Sequence, residues 1–119
     1  MKLKLIGKFL RFILGDNVLA IALCPFGIYF RDTEIMNNKE ILNHESIHWK
    51  QQLEMLIIFF YIWYIIEWVI RIFINGKLMA YRLISFEQES YDNAKNMSYL
   101  NTRKHFSWFK YIGKDIWKF

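Results

Sequence analysis

The chain has 119 residues, enough for one domain with a modest core, and its hydrophobic and aromatic fractions of 55% and 19% are high for a soluble domain. Its single cysteine, Cys24, excludes an internal disulfide and specifies no redox compartment. A formal net charge of +5 accumulates near both ends among aromatic and aliphatic residues, a pattern that favours anionic lipid over nucleic acid as the partner.

Residues 2–14 have the pattern of a short basic amphipathic helix that stops at Gly15-Asp16-Asn17. Such a helix either lies on a membrane surface or packs against the domain, and the sequence leaves both open. Because Arg11 interrupts the apolar run and no small-x-small cleavage site follows, we predict no cleaved signal peptide.

Two short β-strands are predicted for residues 18–23 and 26–31. Both segments are rich in β-branched, aliphatic and aromatic residues, and Pro25 and Gly27 interrupt the pattern. We expect a small β-hairpin or a single edge strand in a fold that is otherwise mainly α-helical.

A helix is predicted from about Lys39 to Leu56, where apolar residues recur at helical spacing. The polar stretch 31–38 reads as a turn, and Asn37 or Asn38 can cap the helix that follows it. This helix contains the segment with the clearest chemical meaning in the chain.

That segment is His44-Glu45-Ser46-Ile47-His48, a His-Glu-x-x-His motif. On a helix, residues i and i+4 share a face about 5–6 Å apart, so His44 and His48 can bind one tetrahedral zinc ion. Zinc lowers the pKa of a water bound to it to about 7, and a general base must accept the proton that this water loses. Glu45 is placed to be that base. The motif therefore predicts peptide hydrolysis. A chance match is the alternative, although two of only three histidines stand at the required spacing.

The segment 55–74 is a run of 20 residues whose only charges are Glu67 and Arg71, spaced as an i, i+4 pair. About 20 apolar residues suffice to cross a bilayer, and the aromatic residues in the run also suit its interface. We expect membrane embedding or attachment, with a buried core helix as the competing explanation.

Gly76 predicts the end of that helix, and residues 78–84 read as a link. Ser85 and Gln88 have the spacing of a capping box, which predicts a new helix from Ser85 to about Leu100. The last segment, 103–119, is basic and aromatic. We expect it to form one or two amphipathic helices that dock on the body of the protein or on lipid.

A third metal ligand must come from elsewhere in the chain. His105 lies in the basic tail, whereas Glu87 and Glu89 begin the predicted helix at Ser85 and are better placed. Their order after the histidine motif leaves Glu87 and Glu89 as candidates.

The motif His44-Glu45-x-x-His48, followed by Glu87-Gln88-Glu89-Ser90-Tyr91-Asp92, resembles the gluzincin zinc peptidases, and in particular the Ste24-type and beta-lactam-sensor membrane metallopeptidases. The resemblance covers about residues 18–100 and implies a zincin-like fold in which an extended edge strand runs above the metal helix. It also implies Glu87 as the third zinc ligand, with Glu89 as the alternative. Tyr91 stands where the family has an Asp that orients a ligand histidine, and Asp92 comes one residue later.

We therefore expect a single domain of residues 1–119, comprising a basic start (1–14), a metallopeptidase-like core (18–100) and a basic aromatic tail (103–119). Zinc is the expected cofactor, and a peptide or protein is the expected substrate. Candidates for stabilising the oxyanion are Tyr81, Tyr91 and Tyr99. The alternative is a non-catalytic, membrane-associated helical module with a structural or vestigial metal site. We expect a membrane-associated or cytoplasmic protein without a nucleic-acid partner, and an oligomer is compatible with the composition.

Overall fold

A computed structural model describes residues 2–15 and 18–117 of the chain. Within these ranges the fold is mainly helical with one small three-stranded sheet, which confirms the predicted class at that level. In chain order the elements are β1 (Leu3–Leu5), α1 (Lys8–Leu14), β2 (Ala20–Leu23), β3 (Gly27–Phe30), α2 (Thr33–Met36), α3 (Lys39–Glu54), α4 (Ile58–Asn75), α5 (Lys77–Leu83), α6 (Ser85–Asn93), α7 (Tyr99–Thr102) and a 3-10 helix (Ser107–Tyr111).

The sheet has the order β1-β3-β2, with β2 antiparallel and β1 parallel to the central strand β3. The predicted strands 18–23 and 26–31 are thus confirmed as a hairpin, and β2 lies at one edge of the sheet. A Cβ atom on Gly27 would lie 2.7 Å from the carbonyl oxygen of Lys2. Glycine therefore permits the close approach between the two chain segments.

The predicted helix over residues 2–14 is wrong in its first half. Residues Leu3 to Leu5 form β1, because their backbone groups find partners on the distant strand β3, and the helix α1 begins only at Lys8. It ends at Leu14, followed by Gly15; the rest of the predicted stop, Asp16-Asn17, lies outside the described residues.

Helix α3 confirms the helix predicted from about Lys39, and of the two candidate caps it is the side chain of Asn38 that accepts a hydrogen bond from the Ile41 amide, at 3.1 Å. The end of α3 has no glycine. Instead, Leu56 and Ile57 adopt positive φ angles of 54° and 65°. The amides of Ile57 and Leu56 donate to the carbonyls of Gln52 and Leu53 at 2.7 and 3.2 Å, the paired bonds of a Schellman motif. This motif turns the chain from α3 into α4.

Helix α4 is long and apolar enough, by length and composition, to cross a membrane, yet only 6% of its 18-residue window is buried within the protein. Phe60 is its one fully buried residue. Glu67 and Arg71 do not form the expected pair with each other. Glu67 accepts from the amide and hydroxyl of Ser85 at 2.9 and 2.6 Å, and Arg71 donates to the carbonyl of Lys114 at 2.8 Å.

The predicted link 78–84 is wrong, since α5 occupies nearly all of it directly after Gly76. Helix α6 begins at Ser85 as predicted but without the capping box, because the Ser85 hydroxyl bonds to Glu67. It ends at Asn93 and not near Leu100. A separate short helix, α7, follows after a turn.

The core has two apolar clusters with a polar layer between them. One cluster joins α4, α6 and the tail and contains Phe60, Ile84, Phe86 and Trp108. The other lies under the sheet and contains Ala22, Ile28 and Phe30. The tail has a 3-10 helix in place of the predicted amphipathic helices, and it docks on the body through Trp108, whose ring lies 4.5 Å from that of Phe86. Two residues of the predicted tail, 118 and 119, lie outside the described part of the chain.

Candidate metal centre

Three side chains converge where α3 meets α6. The Nε2 atoms of His44 and His48 lie 3.2 Å apart, and Oε1 of Glu87 lies 3.3 Å from the first and 2.9 Å from the second. All three residues are buried. The histidines share one face of α3 because they are four residues apart, and Glu87 faces them from the first turn of α6.

These distances fit a tetrahedral metal site. Ligand atoms that lie 2.0–2.1 Å from a zinc ion at tetrahedral angles are separated by roughly 3.3 Å. The three observed separations, 2.9 to 3.3 Å, match that value closely. Two imidazoles and one carboxylate are also donor types that zinc accepts in proteins, so the residues fit the expected ion.

The meeting of α3 and α6 is held by polar contacts to the backbone. The Ser90 hydroxyl donates to the carbonyl of His44 at 2.6 Å, next to the metal-facing side chain. Asn43 donates to three carbonyls at the C-terminal end of α6, those of Asn93 (3.3 Å), Ala94 (2.8 Å) and Asn96 (2.9 Å). These bonds fix the relative positions of the two helices, and so of their ligands.

Glu87 is oriented by a residue of α4. The Tyr64 hydroxyl donates to Oε2 of Glu87 at 2.8 Å, which leaves Oε1 directed at the two histidines. Sequence reasoning missed Tyr64, since a tyrosine within a long apolar run looks like an ordinary core or interfacial residue. No local signal distinguishes it.

The alternative ligand, Glu89, points away from the histidines. Its carboxylate accepts from Arg103 at 2.6 Å, from Gln51 at 2.9 Å and from Tyr99. Burial acts to raise the pKa of Glu89, but the hydrogen bonds from Arg103, Tyr99 and Gln51 lower it overall. The structure therefore brings Glu87, and not Glu89, to the candidate metal centre.

His44 is positioned by packing. The Tyr91 ring lies against the His44 ring at a centroid distance of 4.5 Å in an edge-on arrangement. Tyr91 stands at the position where the resemblance to gluzincins implies an Asp. Asp92, the next residue, accepts from the Tyr111 hydroxyl at 2.6 Å. His44 is thus in contact with an aromatic ring at this point and not with a carboxylate.

Glu45 lies beside the three ligands. Its Oε2 is 3.9 Å from Nε2 of His44, farther than the Glu87 oxygen. Ligand-capable atoms of His44, Glu45 and His48 all lie within 4.8 Å of one another. Burial raises the pKa of Glu45, while the two histidines and a hydrogen bond from the Ala22 amide act to lower it. Glu45 is therefore held between the metal centre and the edge strand β2.

The ligands influence one another strongly. Burial alone would lower the pKa of His48, but the Glu87 carboxylate outweighs it and raises that pKa to about 9. Burial acts to raise the pKa of Glu87, and the charge of His48 together with hydrogen bonds from both histidines holds it well below its usual range. A metal ion bound between these groups would displace the proton that they share.

A cavity of about 760 Å³ opens onto the metal centre. Residues 18–22, which include most of β2, form one wall, and Tyr61 and Tyr64 of α4 form part of another. Tyr81 and Tyr91 also line it, whereas Tyr99 is not among the lining residues. Burial raises the pKa of Tyr81, and the Glu87 charge raises it further, so its hydroxyl stays protonated. Two of the three expected oxyanion donors thus face the space where a substrate would bind.

The outer edge of β2 has unpaired backbone groups, available to a bound peptide, at one residue. The Arg31 amide donates to the Leu19 carbonyl. The backbone N–H and C=O groups of odd-numbered residues in this strand therefore point toward β3, and those of even-numbered residues point away from the sheet. The carbonyl of Ala22 accepts from Gln52 at 2.8 Å, and its amide bonds to Glu45. Ala20 is the remaining outward-facing residue of β2, and it lines the cavity. Its amide and carbonyl can pair with an extended peptide.

Comparisons with known proteins do not identify the chain. No protein-family model matches it, and no curated protein or solved structure does so either.

Proposed function

We propose that this protein is a zinc-dependent peptidase in which His44, His48 and Glu87 hold the ion and Glu45 is the general base. The observation that carries the proposal is the convergence of two Nε2 atoms and one carboxylate oxygen at 2.9–3.3 Å, beside a further carboxylate in a substrate-sized cavity. We assign the chain to the gluzincin-like peptidases as part of the same proposal, on the order and spacing of its ligands.

The residues around the site can divide the chemistry among them. Zinc, when bound, supplies a Lewis acid that lowers the pKa of a water to about 7. Glu45 takes a proton from the water as its oxygen attacks the scissile carbonyl carbon, and it returns that proton to the leaving nitrogen when the C–N bond breaks. The backbone of Ala20 aligns the peptide, and Tyr81 or Tyr91 donates a hydrogen bond to the oxyanion.

Metal content and activity test the proposal together. We expect about one zinc per chain in the wild type, with loss of the metal in His44→Ala, His48→Ala and Glu87→Ala. Glu89→Gln distinguishes the two candidates for the third ligand: because Glu89 does not face the histidines, the variant should still bind one zinc per chain, with affinity weakened only through the contact with Gln51. Glu45→Gln should keep the zinc and lose peptidase activity by about 10²–10⁴-fold, since an amide cannot accept the proton. Wild-type protein without zinc, or an active Glu45→Gln variant, contradicts the proposal.

The second candidate is a non-catalytic module with a structural metal site. It is favoured by one observation: Glu45 lies close enough to His44 to act as a fourth ligand and so close the coordination shell. The two candidates differ in what Glu45→Gln does to zinc affinity. A structural site loses affinity with its fourth ligand, whereas a catalytic site with Glu45 as base keeps it.

We also propose that α4 attaches the protein to a membrane. Most of its apolar side chains are exposed: Ile58, Phe59, Ile62, Ile65, Ile66, Trp68, Val69, Ile70, Phe73 and Ile74. Such a continuous apolar surface is much larger than soluble monomers usually leave in water. Phe9 and Phe12 of α1 are exposed as well, beside the basic residues Lys8 and Arg11, which suit anionic headgroups.

Cell fractionation tests this attachment. We expect the protein in the membrane fraction; release by alkaline carbonate indicates surface attachment, and release only by detergent indicates that α4 is inserted. The double variant Ile62→Lys and Val69→Lys, on the exposed side of α4, should become soluble while still binding zinc. A wild type that is soluble without detergent, fails to bind anionic vesicles and forms a dimer through α4 contradicts membrane attachment.

A further inference from the structure

Gln51 connects the metal centre to a buried ionic network. It is fully buried, and its Oε1 lies 2.7 Å from Nδ1 of His48. Its Nε2 donates to Oε1 of Glu89 at 2.9 Å and to the carbonyl of Phe86 at 3.0 Å. The oxygen of the Gln51 amide thus contacts the proposed zinc ligand His48, and its nitrogen contacts the Glu89 carboxylate and the Phe86 carbonyl.

These contacts determine which way the amide of Gln51 points. A carboxylate and a backbone carbonyl only accept hydrogen bonds, so the NH₂ group must face Glu89 and Phe86. The carbonyl oxygen of Gln51 is then left facing His48, and Nδ1 of that ring must carry the hydrogen. In a neutral imidazole this leaves the lone pair on Nε2, which is the atom directed at His44 and Glu87.

Glu89 is itself held by Arg103. The guanidinium donates to both oxygens of Glu89, at 2.6 and 3.0 Å, and to both oxygens of Glu54, at 3.0 and 2.7 Å. The three side chains are 0–4% exposed. Because this triad fixes the Glu89 carboxylate, it also fixes the donor side of the Gln51 amide.

We infer that Gln51 is a positioning residue that selects the metal-binding tautomer of His48, and that Glu89, held by Arg103, sets the orientation of Gln51. The inference rests on the proposed function, because it concerns the same zinc ligand. Gln51 lies three residues after His48 on the same helix. Residues that orient a ligand histidine typically affect metal affinity by 10–100-fold.

Gln51→Leu tests the inference, because leucine has a similar volume but no acceptor for Nδ1. Zinc affinity, measured by competition with a chelating indicator, should fall by about 10–100-fold. In the cobalt-substituted protein the visible absorption bands should shift, since the geometry at His48 changes. Gln88→Leu is the matched control: Gln88 is also fully buried and makes three hydrogen bonds, none of them to a site residue. It should bind zinc within about threefold of the wild type and leave the cobalt spectrum unchanged, because it is not in the chain of contacts.

A swap of Gln51 and Glu89 separates positioning from general stability, and it serves if Gln51→Leu does not fold. In Gln51→Glu with Glu89→Gln, the new carboxylate can accept from both His48 and the new amide, although the Phe86 carbonyl loses its donor and Arg103 keeps one of its two oxygen acceptors at position 89. The swap variant should bind zinc more tightly than Gln51→Glu alone, which places two carboxylates together.

The possible failures are distinguishable. A wild type that binds no zinc overturns the proposed function and this inference together. Equal zinc affinity in the wild type and Gln51→Leu, or an equal loss in Gln88→Leu, overturns the inference alone. So does a folded swap variant that binds zinc no more tightly than Gln51→Glu alone.

Discussion

The contact between α3 and α6 and the outer surface of α4 reverse the usual distribution of polarity. Where α3 meets α6, histidine, glutamate, glutamine, asparagine and serine side chains are buried and hydrogen-bonded. Along α4, isoleucine, phenylalanine and valine side chains are exposed. A protein that buries polar groups must satisfy each of them, and one that exposes a broad apolar surface normally covers it with another phase or partner. Under the proposed function, the buried polar groups serve the metal site and the apolar surface of α4 serves attachment to a membrane.

Among the buried polar residues, Arg103 should have the largest effect on stability when it is replaced. Arg103→Leu should destabilise the protein by about 3–5 kcal/mol, because it leaves the carboxylates of Glu54 and Glu89 buried without a counter-charge. Urea unfolding in mild detergent measures the effect. Lys104→Met, an exposed neighbour, is the control and should change stability by less than about 0.5 kcal/mol. Equal stabilities of the two variants would show that the triad is not paired as described.

The two sides of α4 can be compared by the same truncation. Phe60→Ala should cost about 3 kcal/mol, since its ring is buried and stacks on Phe86 at 4.4 Å. Phe73→Ala, at a residue that is 85% exposed, should cost less than about 0.5 kcal/mol in the detergent-solubilised protein. Similar losses at both positions would mean that the exposed side of α4 packs against protein.

Zinc should stabilise the folded protein through the buried polar region. At a free zinc concentration 100 times the dissociation constant, the wild type should gain about 2.7 kcal/mol of stability, because the metal binds the folded state. His48→Ala should gain almost nothing under the same conditions. Thermal unfolding with and without a chelator measures both. A wild type insensitive to the chelator contradicts specific binding to the native site.

The turn between α3 and α4 should give the smallest change in stability. Leu56 has a φ of 54° in the Schellman motif, a conformation that glycine adopts without strain. Leu56→Gly should therefore stabilise the protein by about 0.5 kcal/mol, the relief of strain offset in part by greater freedom of the unfolded chain. Leu53→Gly, within the helix, should instead destabilise by about 1 kcal/mol. Urea unfolding separates the two signs.

The sequence predicted the parts whose signals are local. The helix with His44 and His48, its cap at Asn38 and the hairpin around Pro25 follow from spacing and turn chemistry within a few residues. The choice between Glu87 and Glu89 was left open because both lie near the start of one helix. Only the packing of α6 against α3, set by Ser90 and other polar contacts, brings Glu87 to the histidines.

The remaining elements depend on distant partners. Leu3 to Leu5 form a strand because they pair with β3. Ser85 does not form a capping box because its hydroxyl donates a hydrogen bond to Glu67 of α4. The turn between α3 and α4 uses Leu56 and Ile57, residues that give no turn signal. Tertiary contacts outweigh local preference in β1 and at Ser85.

Arg103 has a consequence for the order of events during synthesis. The ribosome makes the two histidines first, Glu87 much later, and Arg103 only after α6 and α7. Until Arg103 emerges, Glu54 and Glu89 lack their counter-charge, and Gln51 lacks the partner that fixes its orientation. If the site binds zinc as proposed, a nascent chain that ends before Arg103 should bind it weakly. Under the proposed function, hydrolytic activity is withheld until nearly all of the described chain has been translated.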